Sequence, residues 1–109
     1  MYFGGDFFIG QEIVYFQERP LWCMGYAGGV LREMQASVAT VDLYACLRLA
    51  LRQVQPARPY RGPALLQEGD FIYQDESRGS SERFWGQETI TYQGQWVYEL
   101  HYHGGLIRA

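Results

Sequence analysis

A chain of 109 residues with nine Lys and Arg against twelve Asp and Glu carries a net charge of −3, so it lacks the basic face that a phosphate backbone demands, and nucleic acid is not an expected partner. Apolar residues at 48% and aromatics at 17% exclude a disordered chain, and this length supports one core, so a single domain over 1–109 is expected. No stretch approaches the ~18 apolar residues of a membrane span, and Met1 to Gly10 lacks a basic leader region, so no membrane partner and a cytoplasmic location are expected.

The first elements belong to a duplication. Phe8 to Arg32 aligns without a gap onto Phe84 to Arg108 at an offset of 76, with nine of twenty-five positions identical, where average residue usage gives about two. The identities include Gly10/Gly86, Gln11/Gln87, Glu12/Glu88, Tyr26/Tyr102 and the pairs Gly28-Gly29 and Gly104-Gly105. Each copy (8–32 and 84–108) reads as a β-hairpin. Glu18, Arg19 and Pro20 are expected in the first turn and Gly94 in the second. Alternation assigns Val14, Phe16, Trp22, Met24 and Tyr26, with Ile90, Tyr92, Tyr98, Leu100 and Tyr102, to the core face. The odd positions of the return strands, Cys23, Gly25 and Ala27 against Glu99, His101 and His103, share no chemistry.

After the first hairpin, Thr40 can cap a helix over about 41–55, with Leu43, Cys46, Leu47, Ala50, Leu51 and Val54 on one face, Arg48 and Arg52 on the other, and Pro56 as the stop. Cys23 and Cys46 lack CxxC spacing and read as buried free thiols. A proline-spaced loop leads to a strand over 70–75, and Glu76 to Ser81 reads as a polar loop before the second hairpin. The expected fold is α+β: an antiparallel sheet of about five strands, made of two pseudo-twofold-related hairpins, packed against one helix. The strand at 70–75 has no counterpart before the first copy, so Gln11 to Gln17 is expected to present an unpaired edge, and a homodimer through that edge follows.

The segments PLWCMGYAGGVL (Pro20 to Leu31), PYRGP (Pro59 to Pro63), GDFIY (Gly69 to Tyr73) and FWGQETITYQGQWVYELHYHGG (Phe84 to Gly105) resemble a bacterial family known as a domain of unknown function. Members of that family occur alone or C-terminal to a helix-turn-helix module in transcriptional regulators. The resemblance implies an effector-like domain that senses a small molecule or mediates association. This chain lacks the N-terminal GD-x-x-Y strand that family members tend to carry.

Three sets of residues are candidates for chemistry. Glu12 and Glu88 follow the same Gly-Gln in both copies, and two carboxyls brought together by a twofold can split their proton affinities and act as acid and base. Glu99, His101 and His103 alternate on one strand face, a spacing able to hold a metal ion. Trp22, Tyr26, Trp85, Trp96, Tyr98 and Tyr102 can line an aromatic ligand pocket. No P-loop, dinucleotide fingerprint, HExxH, nucleophile elbow or zinc-ribbon spacing occurs, and no cofactor is expected. The reading that follows is a non-enzymatic, self-associating module for a small-molecule ligand or a protein. The alternative is a small hydrolase or isomerase using the paired glutamates or a histidine-bound metal.

Overall fold

A computed structural model describes residues 2–31, 40–52 and 63–108. Its elements in chain order are β1 (Tyr2–Gly4), β2 (Phe7–Phe16), β3 (Arg19–Val30), α1 (Thr40–Arg52), β4 (Leu65–Glu68), β5 (Phe71–Ser80), β6 (Arg83–Tyr92) and β7 (Gln95–Leu106). The strands form one antiparallel sheet in the order β1-β2-β3-β7-β6-β5-β4. The described residues are therefore predominantly β, with seven strands and one helix described over 13 residues, which corrects the expected α+β arrangement of about five strands packed against a helix.

The two additional strands are too short to show alternation. β1 has three residues and β4 four, and each is held by a tight hairpin, at Gly5-Asp6 and at Gly69-Asp70. β5 also runs beyond Asp75 to Ser80, because Glu76, Ser77 and Arg78 pair with Gln87, Gly86 and Trp85, and a continuous ladder outweighs their polar character. The first hairpin turns at Gln17 and Glu18, with φ of 50° and 66°, and the second at Gln93 and Gly94, with 51° and 81°. Both are primed turns, whose twist matches that of the strands, so Arg19 and Pro20 already belong to β3. The helix starts at Thr40 and is described to Arg52; the expected Val54 and the Pro56 stop lie outside the described residues.

The duplication is visible in the backbone. Both hairpins carry a bulge at the same place, between Val14 and Tyr15 and between Ile90 and Thr91, leaving Leu21 and Val97 as the extra residues. The carbonyl of each extra residue accepts a hydrogen bond from the other copy: Ile107 N to Leu21 O at 2.8 Å and Leu31 N to Val97 O at 2.9 Å. The turn carbonyls of Asp6 and Glu82 accept from Val30 N and Leu106 N in the same repeated manner. At the centre, β3 and β7 pair with Tyr26 opposite Tyr102, Trp22 opposite Leu106 and Val30 opposite Tyr98. Exchanging the copies leaves this register unchanged, so a local twofold passes between Tyr26 and Tyr102.

The core lies on one face of the sheet and is concentrated in the second copy. Tyr73, Ile90, Tyr98 and Leu100 are fully buried with Leu43, Cys46, Leu47 and Ala50 of α1, the apolar stripe expected of the helix, while Arg48 and Arg52 are exposed. In the first copy, Phe8 and Met24 join the core and Trp22 and Tyr26 are half-buried, but Val14 and Phe16 are exposed, unlike their equivalents Ile90 and Tyr92.

Candidate functional site

On the covered face of the second copy, Asp75 of β5 stands directly opposite Glu88 of β6, and both carboxyl side chains are buried. Three tyrosines surround them. The Tyr73 hydroxyl donates to Glu88 Oε2, the Tyr98 hydroxyl donates to Glu88 Oε1 at 3.2 Å, and the Tyr102 hydroxyl donates to Asp75 Oδ1 at 2.6 Å. Burial, followed by the hydrogen bond and charge of Asp75, pushes the Tyr102 phenol well above its usual range, so it remains a proton donor at all ordinary pH. The ring of Tyr102 lies over Gly86, its cross-strand partner, where any Cβ would overlap it; Tyr26 lies over Gly10 in the same way. The preserved Gly and Tyr of the two copies are thus one paired device: a glycine that makes room for an aromatic ring.

The first copy lacks this arrangement. Glu12 is exposed because β1 pairs with β2 only at Phe8, Ile9 and Gly10, and no described strand lies along the outer side of Gln11 to Phe16. The same stretch in the second copy is flanked by β5. The result is a hairpin bare on both faces, with Ile13, Val14, Tyr15, Phe16 and Leu21 between 40% and 62% exposed. Glu12 and Glu88 are not brought together. β3 and β7 lie between their strands, three inter-strand steps or roughly 14 Å across the sheet.

The sheet's other face carries no described helix. Here Glu99, His101 and His103 alternate along β7, both imidazoles exposed, opposite Gly29, Ala27 and Gly25 of β3. Among the described residues, no group of three or more His, Cys, Asp or Glu could hold a metal ion. The six aromatics expected to line a ligand pocket are also divided, and Trp96 is exposed at the start of β7. Tyr98 and Tyr102 are buried in the network, and Trp22 stacks on Phe84 with centroids 5.6 Å apart and donates Nε1–H to Ser81 O. Tyr26 packs edge-on to Phe8, and Trp85 is exposed on the opposite face beside His103. Of the thiols, Cys46 is buried as expected and Cys23 is half-buried.

A family model described as Domain of unknown function (DUF5680) matches residues 1–107. The chain belongs to that family. No curated protein and no solved structure matches it.

In this DUF5680 domain, sequence reasoning singled out Glu88 but missed its partners Asp75 and Tyr73. Their signal was present in the parity of Phe71, Tyr73 and Asp75, which continues an apolar face onto a carboxylate. Chemically, the Asp75–Glu88 network is a buried set of three tyrosine donors and two carboxyl acceptors that fixes a polar core. The bare hairpin edge offers backbone hydrogen bonds and apolar side chains to another strand. No helix among the described residues is long and apolar enough to cross a membrane.

Proposed function

We propose that the domain is a non-enzymatic association module, acting in a bacterial cytoplasm, that joins a second copy of itself by pairing the outer edges of β2. The observation that carries this reading is the stretch Gln11 to Phe16, which has no described strand on its outer side and exposes Ile13, Val14, Tyr15 and Phe16. Exposed apolar edges are templates for strand addition, and soluble proteins blunt them unless they are used. An isologous contact needs one surface only. The fold supplies its own template, since β5 occupies the same edge of β6 over Phe71–Ser80.

Antiparallel pairing centred on Val14 sets that residue against Val14 of the other copy, Ile13 against Tyr15, and Glu12 against Phe16, so apolar groups meet on both faces and the two Glu12 carboxylates are held apart. Behind a helix-turn-helix module, such a pair presents two reading helices to one operator, the geometry that two-fold DNA sites require. A contact of this size is small, and a dissociation constant on the order of 10 μM is expected. Sedimentation velocity from low to high micromolar concentration tests the proposal. The unmodified chain should shift from monomer to dimer, while Val14→Lys, a change at an exposed position, should remain monomeric with an unchanged melting temperature. A chain that stays monomeric throughout, or a Val14→Lys variant that dimerises equally, overturns it.

A further inference from the structure

β3 contains one glycine that the fold does not require. A Cβ placed at Gly25 meets only the His103 ring, at 3.7 Å from Cε1 and 3.8 Å from Nε2, ordinary contact distances, and its φ lies outside the range that favours glycine. At each of the other glycines described within strands, an added Cβ would overlap backbone or a packed ring. Glycine weakens a strand interior, and besides bulges and bends it often marks a site where a ligand approaches the backbone closely.

Gly25 lies on the open face, at the floor of a trough. Ala27 and Cys23 continue the floor along β3, Phe3 and Ile9 form one wall, and His101 and His103 form the other. The local twofold explains its shape: the small residues of β3 face the imidazoles of β7 at equivalent positions, so one half of a symmetric surface is cut away. The trough has two continuous parts that share Gln11, Gly25 and His103. The part over Gly25 and Ala27 is mostly apolar and measures about 460 Å³. The part over Cys23 measures about 720 Å³ and ends at Arg83 and Arg108; Glu82, the one carboxylate among its lining residues, is ion-paired with Arg108 at 3.3 Å, which leaves Arg83 as the excess positive charge at that end.

We infer that this trough binds a small planar organic anion, such as an aromatic carboxylate. The ring lies flat on Gly25 and Ala27 between Ile9 and the two imidazoles, where a side chain at position 25 would displace it. The acid group points along the floor to Gln11, Arg83 and Arg108. Both volumes fall in the range of small-molecule sites, and the apolar part with a cationic end matches a ring with one negative group. This site lies on the open face and shares only Gln11 with the stretch proposed to pair.

Titration of the isotope-labelled chain with 2-naphthoate, followed by backbone amide and imidazole NMR signals, tests the inference. The expected result is saturable shifts at Gly25, Ala27, His101 and His103, with the same affinity in Val14→Lys. Binding should weaken at least tenfold in Gly25→Val and several-fold in Arg108→Gln, and 2-naphthylmethanol, which lacks the charge, should bind more weakly than the acid. Gly25→Val should keep its melting temperature; should it unfold, Ala27→Leu fills the same floor and takes its place. Shifts centred on Ile13 to Phe16, unchanged affinity in the filled variant, equal binding of the alcohol, or no saturation at millimolar naphthoate each overturns the assignment.

Discussion

Glu12 and Glu88 occupy the same position in two copies of one hairpin, and they lie in opposite environments: Glu88 is fully buried beneath two tyrosine hydroxyls, and Glu12 is exposed on a bare strand. The difference comes from the neighbours. β5 brings Asp75 and Tyr73 alongside β6, whereas β1 extends along only the first residues of β2.

Removing the two side chains should therefore have unequal effects. Glu88→Ala leaves the Tyr73 and Tyr98 hydroxyls without their acceptor and opens a cavity, and a loss of about 2–5 kcal/mol is expected. Glu12→Ala should stay within about 0.5 kcal/mol of the parent. Urea unfolding of the two variants measures the contrast, and similar midpoints would show that the buried network contributes little.

A second asymmetry concerns the paired glycines. Gly86→Ala drives a methyl into the buried Tyr102 ring, whose hydroxyl is held by Asp75, and should cost about 3 kcal/mol. Gly10→Ala meets the ring of Tyr26, which is half-buried rather than buried, and should cost about 1 kcal/mol. Thermal unfolding of the two variants ranks them directly.

Alkaline pH should expose the Tyr102 linkage. Its phenol is held above the usual tyrosine range by burial first and by Asp75 second. The unfolded chain therefore releases this proton at a lower pH than the folded one. The stability from this group is fully present below about pH 10 and declines as pH rises beyond it. Tyrosinate absorbance near 295 nm should show Tyr102 ionising only with unfolding, and Tyr102→Phe should remove its part of the alkaline slope while lowering stability at neutral pH.

The thiols should separate kinetically. Burial raises the Cys46 thiol above its usual range, with the Glu68 charge adding to the effect, and the thiolate is the reactive form. Cys23, on the open face, should react with a disulfide reagent in the native state, and Cys46 only after unfolding. Equal rates would mean that α1 detaches readily from the sheet.

Much of this architecture was legible from the offset of 76 alone. The copies, their hairpin character and the core parity of Tyr98, Leu100 and Tyr102 all follow from aligned residues, because alternation records which face meets the core. Composition could not reveal β1 and β4, whose few residues hold their place through turns and ladders rather than through propensity. Nor could alternation tell that Val14 and Phe16 are bare while Ile90 is covered, since burial depends on what lies above a strand. The trough needed the register of β3 on β7, which places Gly25 beside His103, residues 78 positions apart in the chain.

Because β3 and β7 meet with Tyr26 opposite Tyr102, two identical hairpins would pair in the same way about a true axis, each bulge carbonyl accepting from the residue just past the other's return strand. The molecule thus has the form of a symmetric pair of hairpins joined within one chain. Within one chain the two halves need not stay alike: the second carries the helix cover and the polar core, and the first presents an open hairpin.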